Sequence, residues 1–379
     1  MLAGFASVEA EEPAMFLAFD GIQRPLSLKG CDELARTISE ILHGWPTQRI
    51  KPTSSLPAFT ITKTKAGYSR QSEWLKKPAV FPNKLNAACD FLVDAFKAYT
   101  ADNPGLLCLH TAAVDFGDGL YLFPSTYRAG KSTLVTHLAS LGLRVYADDV
   151  LYITDQDDTG MAPGVLPRLR LPLPDDGGDR FDTFVQTHRG AESPRFLYLK
   201  MNETELAPYG ETAPIKGIIE LNRDMDAEMA LSPAKASDIL KRTILQNFAL
   251  EVSALETLDR LHRIVENADC YTLTYACGAD AARHLKDTFF MADNRVYTRN
   301  PDIEERQVDD EIFLVNPDNE ALYNLDILGS AIWRLLENPV SVPEAVDIIC
   351  KAFPDAEPES VEKDVTELIA DLSDHGLIR

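Results

Sequence analysis

The chain has 379 residues, 45% of them hydrophobic and 25% charged, with a formal net charge of −22. This length exceeds one typical core and suits two or three domains of an ordinary globular protein. The charge argues against non-specific binding of nucleic acid, whose phosphates would be repelled, and no run of about 18 apolar residues is present to span a membrane.

The opening "MLAGFASVEAEEPAM" lacks a basic stretch followed by an apolar one, so no secretory signal is expected there. Cys31, Cys89, Cys108, Cys270, Cys277 and Cys350 lie far apart, without C-x-x-C or Cys/His spacing. A reduced cytoplasmic protein without structural zinc is expected. Residues 301–379 carry twenty acidic against five basic side chains, which marks a solvated acidic surface or a face for a basic partner.

In chain order, residues 1–105 mix short alternating segments ("FLAFDGI", "PAFTITKT") with helical ones. In "KLNAACDFLVDAFKAYT", Leu85, Ala88, Phe91, Leu92, Ala95 and Phe96 recur at the spacing of one buried helix face. A small α+β N-terminal domain is predicted. The next domain, 106–292, opens with two apolar strands around the turn signal "GDG", then the helix "AGKSTLVTHLASLG" and the strand "RVYADDVLYIT", an α/β unit with its motif in the first loop. "FLYLKM" and "IKGIIELN" are expected to extend the sheet. "PRLRLPLPDDGGDRFDT" reads as a loop, and helices are expected over about 236–268 and 278–292. Residues 293–308 read as a linker. Residues 309–379 read as a hairpin around "NPDN" followed by three helices, with Ser341, Pro358 and Gly376 as their punctuation.

The chemistry concentrates in "STYRAGKST". A phosphate-binding loop, G-x-x-x-x-G-K-[ST], points backbone N–H groups at phosphate oxygens, with its lysine on the β- and γ-phosphates and its hydroxyl on Mg²⁺. Gly130, Lys131 and Ser132 are in place, whereas Ser125 stands for the first glycine and Arg128 adds bulk. The nucleotide-binding candidates are therefore Ser125, Thr126, Tyr127, Arg128, Ala129, Gly130, Lys131, Ser132 and Thr133. Asp148 and Asp149 end the strand that follows this helix and should lie beside the loop at the carboxyl edge of the sheet. Two adjacent acids are costly there unless cations or substrate offset them. His110, near the end of the preceding strand, has access to the same edge.

"CLHTAAVDFGDGLYLFPSTYRAGKSTLVTHLASLGLRVYADDVLYI" resembles the catalytic core of HPr kinase/phosphorylase and its relatives, which share a histidine, a hairpin, a P-loop and an "ADD" strand in this order. The resemblance implies transfer of the γ-phosphoryl group of ATP, or another nucleoside triphosphate, to a serine hydroxyl of a protein or peptide. It implies Lys131 on the phosphates, Ser132 and Asp149 as Mg²⁺ partners, Asp148 or Asp149 as base, and His110 beside the transferred phosphate. Arg168 and Arg170, in "PRLRLPLP" where the family carries a glycine-rich signature, and Lys216 are further candidates for substrate contact.

The C-terminal stretch shows no acid–base–nucleophile cluster. Through "YNLD", Ile332-Trp333, "SVPEAV" and "DVTELIADLSDHGLI" it is similar to PqqD-like peptide-recognition domains, a winged-helix-like fold. That resemblance implies capture of the leader of a ribosomally made precursor peptide as an added strand. The groove is expected at the strand 320–325 and one face of helix 358–374, with Leu322, Tyr323, Asn324, Val361 and Val365 in it. Asp326 stands where the family usually has Asn. Together the halves imply a cytoplasmic serine/threonine peptide kinase, with no nucleic-acid or membrane partner and possible self-association. The alternatives are a non-catalytic nucleotide-binding adaptor for such a peptide, and a kinase of free serine or another small hydroxyl compound.

Overall fold

The computed structural model describes residues 14–379 except 52–54, 125–129, 175–176, 250, 291–295, 310, 318–320 and 354–356. Ser125, Thr126, Tyr127, Arg128 and Ala129 of the predicted loop thus lie outside the described residues. The chain is a mixed α/β protein with several sheets, divided into two compact units, Met1–Phe289 and Phe290–Arg379.

The larger unit begins with β1 (Ala14–Phe19), β2 (Leu26–Lys29), α1 (Asp32–Ile41), β3 (Thr47–Ile50), β4 (Phe59–Thr64), β5 (Gly67–Ser72), β6 (Ala79–Phe81) and α2 (Lys84–Asp102). The strands form one sheet in the order β3-β1-β2-β4-β5-β6. The Asn83 side chain accepts the amide N–H of Asn86, which satisfies a donor that the first turn of α2 leaves unpaired. The predicted apolar face of α2, from Leu85 to Phe96, is buried throughout. Residues 1–105, expected as a separate domain, belong to the same unit as 106–289. Aromatic packing crosses that boundary: Trp45 stacks on Tyr209 with ring centroids 5.2 Å apart, and Tyr99 lies 4.8 Å from Tyr152.

Next come β7 (Leu107–Leu109), β8 (Ala112–Asp115), β9 (Leu120–Phe123), α3 (Lys131–Ser140), β10 (Arg144–Ala147), β11 (Leu151–Ile153) and β12 (Gly160–Met161). They are followed by β13 (Arg168–Arg170), α4 (Gly178–Thr187), β14 (Arg189–Glu192), β15 (Phe196–Leu199), β16 (Thr212–Ala213), β17 (Ile215–Arg223) and β18 (Ala230–Pro233). The unit closes with α5 (Ala236–Gln246), α6 (Ala254–Asn267), β19 (Asp269–Tyr275) and α7 (Gly278–Phe289). A six-stranded sheet runs β10-β8-β9-β17-β19-β18, a four-stranded one β16-β12-β11-β7, and a three-stranded one β13-β15-β14.

Two chain segments change sheets side by side. β8 pairs antiparallel with β10 in the six-stranded sheet, and β7 pairs antiparallel with β11 in the four-stranded one. Between these pairings the chain passes through His110 and Thr111 on one side and through Asp148, Asp149 and Val150 on the other. "RVYADDVLYIT" is therefore not one strand but two, β10 and β11, creased at the aspartates. β9 and β10 are both antiparallel to β8, hence parallel to each other, and the β9–α3–β10 connection spans that intervening strand.

Other expectations change. "FLYLKM" supplies β15 of the small sheet rather than the large one. The predicted loop over "PRLRLPLPDDGGDRFDT" contains β13 and the start of α4, because Arg168–Arg170 pairs with Phe196–Tyr198. The predicted helix 236–268 is two helices. The chain between them leaves helical geometry at Asn247, where the Phe248 N–H donates to the carbonyl of Cys108 and the His110 N–H donates to that of Gln246. Periodicity alone carries no trace of this pairing.

The smaller unit contains β20 (Val296–Tyr297), β21 (Glu304–Val308), β22 (Glu311–Asn316), β23 (Ala321–Leu325), α8 (Ile327–Leu335), β24 (Val340–Ser341), α9 (Val342–Ala352) and α10 (Pro358–Asp374). β21-β22-β23 form an antiparallel sheet, and β20 pairs with β24. Residues 293–308, read as a linker, thus contribute two strands. β21 is exposed along its whole length, so it shows no alternation, and backbone pairing alone makes it a strand. Asp326 caps α8 by accepting the Gly329 N–H at 2.8 Å, a task that Asp and Asn perform equally well.

Trp333 is 1% exposed and its indole N–H donates to Glu305 at 2.7 Å. Arg299 pairs with the same carboxylate at 3.1 Å and lies over the indole ring. Trp333→Ala is expected to cost about 3–5 kcal/mol, and Trp333→Phe, which mainly loses the bond to Glu305, distinctly less. Denaturant unfolding followed by circular dichroism checks the order.

Candidate functional site

In the larger unit the carboxyl ends of β9, β10, β17 and β19 share one edge of the six-stranded sheet, the usual ligand edge of an α/β sheet. α3 starts there. Gly130, its N-cap, has φ +85°, and a Cβ at this position would stand 2.7 Å from the Tyr275 hydroxyl, so both backbone and space require glycine. Lys131 follows in the first turn, and its ammonium donates to the His110 carbonyl at 3.4 Å. Burial lowers the Lys131 pKa, while Asp149 and Asp148 act in the opposite direction.

The crease between the sheets brings the acids and the histidine together. His110 Nε2 lies 2.7 Å from Asp149 Oδ1. Arg168 spans the pair: its backbone N–H donates to Asp148 Oδ2 at 2.8 Å, and its guanidinium lies 3.6 Å from Asp149 Oδ2. The two carboxyls are consequently unequal. Burial, reinforced by the neighbouring Asp149 charge, pushes Asp148 up to about 6. Burial opposes ionisation of Asp149 too, but the hydrogen bond and charge of His110, with Arg168 and Lys131, outweigh it and hold that carboxyl low, at about 2. One acid is thus poised to take a proton near neutral pH, while the other stays ionised.

His110, both aspartates and Arg168 form one wall of a cavity of about 460 Å³. α2 supplies Cys89, Leu92, Val93, Phe96 and Lys97 to it, and the end of α5 with the residues after it supplies Leu245, Gln246, Asn247 and Phe248. Tyr198, paired with Arg168 across β13 and β15, also lines it and is 3.2 Å from the Cys89 sulfur.

Of the sequence-derived candidates, Gly130, Lys131, Ser132, Thr133, His110, Asp148, Asp149 and Arg168 gather at this edge. Arg170 lies two residues beyond Arg168 on β13 and is exposed; it does not line the cavity. Lys216 is at the start of β17, beside Asp118 at 3.9 Å. It lies at the opposite end of β17 from Arg223, which borders Gly130, roughly 20 Å away at about 3.3 Å per residue. The sequence reading missed Arg223 and Tyr275, the last residues of β17 and β19, which border Gly130. Their position at the ends of strands parallel to β9 was the available signal. It also missed the wall formed by α2 and residues 246–248, which has no local signature.

In the smaller unit β23 is an edge of its sheet, with Leu322 and Asn324 exposed. Asn324 donates to Glu311 at 3.2 Å, and the Tyr323 ring packs on His375 at 5.0 Å. Val361 and Val365, expected in a groove, are instead buried in the core with Ile369 and Leu372. Their i, i+4 spacing is that of the helix face turned to Trp333 and its neighbours.

Residues 311–378 match the family described as "Coenzyme PQQ synthesis protein D (PqqD)", so the C-terminal domain is PqqD-like. Among solved structures, the chain is similar to "TbiB1 in Complex with the TbiA(beta) Leader Peptide", at 28% identity over 22% of this chain and 94% of that one, with a TM-score of 0.21. A search of curated proteins found no match. Among the described residues, no helix is long and apolar enough to cross a membrane.

The raised Asp148 pKa means that its ionised form opposes folding above the ordinary Asp range. Asp148→Asn retains an acceptor for the Arg168 N–H and removes that charge. It is expected to raise the melting temperature at pH 7–8, with the gain shrinking as pH falls through about 6 and vanishing below about 4; melting curves across this range check it.

Proposed function

We propose that the chain is an ATP-dependent kinase that phosphorylates a serine or threonine hydroxyl of a ribosomally made precursor peptide, whose leader is held by the PqqD-like domain. The observation that carries this reading is the convergence of His110, Asp148, Asp149 and Arg168 in the lining of a cavity, with Lys131 of the glycine-started helix α3 bonded to the His110 carbonyl. A helix N-terminus with a lysine in its first turn suits a nucleotide's phosphates. Of the two acids, Asp148 is the proton acceptor by its raised pKa and its burial against Arg168. Asp149, held ionised, orients His110.

The step balances without further reagents. The substrate hydroxyl oxygen bonds to the γ-phosphorus as the bond from that phosphorus to the β,γ-bridging oxygen breaks. ADP leaves, and the hydroxyl proton passes to Asp148. Lys131 and Arg168 lie where they offset charge building on the phosphoryl oxygens. The Ser132 hydroxyl and the Asp149 carboxylate are hard oxygen donors of the kind Mg²⁺ accepts beside phosphates. Bound there, the ion would supply charge neutralisation.

Leader capture is supported by the PqqD-like match and by the open edge of β23, which has backbone groups to offer an added strand. Tethering the leader raises the effective concentration of the acceptor, so the catalytic site has little sequence to recognise.

Mass spectrometry of the precursor peptide after incubation with ATP and Mg²⁺ tests the reading. Lys131→Ala is expected to lower transfer by about 10³-fold or more while leader affinity, read by fluorescence anisotropy, is unchanged; undiminished transfer overturns the assignment. Nucleotide binding without phosphorylation of any peptide would instead favour the adaptor reading, to which Ser125 and Arg128 in place of glycines point. With Asp148 as base, kcat/KM should rise with pH through about 6 and level off above it.

A further inference from the structure

The cavity is larger and more apolar than a serine or threonine side chain requires. Besides the acids, His110 and Arg168, its lining includes Leu92, Val93 and Phe96 of α2, Val165, and Leu245 and Phe248 around the end of α5, with Lys97, Gln246 and Asn247 as polar members. At about 460 Å³ it falls within the usual range for sites that enclose a sizeable ligand, about 300–1,000 Å³. Two of these side chains lie open to solvent, Leu245 at 75% and Val93 at 43%. Large apolar groups left exposed at the mouth of a cavity gain from being covered. Lys131 does not line this cavity; on the kinase reading its ammonium takes the nucleotide's phosphates, which leaves the cavity to the acceptor.

We infer that this cavity seats a bulky apolar side chain of the peptide, next in sequence to the hydroxyl residue that is phosphorylated, and that Leu245 and Val93 determine this preference. The inference rests on the kinase reading for the meaning of the acid wall. The preferred acceptor is a serine or threonine flanked by a leucine, isoleucine or phenylalanine class residue. The apolar neighbour fills the space between α2 and residues 245–248, which sets the hydroxyl against Asp148. Removing the fit of one large apolar group usually costs about tenfold or more in discrimination.

The test uses the full chain and blocked, leaderless pentapeptides with a central serine, flanked on both sides by leucine, phenylalanine, glycine or aspartate. Transfer of phosphate from ATP and peptide binding by anisotropy are measured separately. The leucine and phenylalanine peptides are expected to exceed the glycine peptide at least tenfold in kcat/KM, and the aspartate peptide by more. Leu245→Asp, and independently Val93→Asp, should reduce this preference to about twofold or less without changing nucleotide affinity. Both positions are exposed, and the milder Leu245→Ser serves if either acidic variant melts early. Equal use of all four peptides, or an unchanged preference in these variants, overturns the inference and leaves the kinase reading intact. If no peptide is phosphorylated, the kinase reading fails, and the binding arm still decides: preferential binding of the apolar peptides that Leu245→Asp abolishes supports the cavity assignment, and indifferent binding ends it.

Discussion

Two adjacent carboxylates, Asp148 and Asp149, are kept within reach of one another where the chain turns from one sheet into another, and the rest of the site is arranged around their repulsion. A buried acid, Asp148, beside a half-exposed one, Asp149, is unfavourable unless cations or donors separate their protonation states. Here Arg168 gives its backbone N–H to one and its guanidinium to the other, His110 bonds the outer one, and Lys131 closes the group from α3. The result is an asymmetric pair, one acid easily protonated and one held ionised, produced by environment alone.

That asymmetry depends on topology. β7 and β11 pair in one sheet and β8 and β10 in another, so both segments must bend at the same level, and the bends place residues 110–111 opposite 148–150. Side chains at such a crease leave the ladders and project toward the sheet edge. The aromatic contacts of Trp45 and Tyr99 with Tyr209 and Tyr152 then lock the N-terminal layer onto the same body, which makes α2 a wall of the cavity.

The smaller unit works on a different principle. Its core gathers one face from each of α8, α9 and α10 around Trp333, and Glu305 is fastened to that core from β21. Among the described residues its outer strand β23 pairs only with β22, which leaves an edge of the kind through which a sheet recognises extended peptide without needing a catalytic group. Most of the chain's net negative charge lies in this region, which disfavours binding of nucleic acid.

By itself the sequence determined what local chemistry can specify: the apolar face of α2, the glycine, lysine and serine that open α3, the acid pair, the capped helices and the hairpin of the PqqD-like domain. Each rests on a periodicity, a cap or a turn within about a dozen residues. Only the tertiary structure decided which of those residues meet. It split "RVYADDVLYIT" at the aspartates, drew Arg168 in and left Lys216 at the far end of β17, turned Val361 and Val365 into the core, and broke the helix at Asn247 to complete the cavity. The physical reason is common to all of these: strand pairing and burial are settled between segments distant in sequence, and local pattern holds no record of the partner.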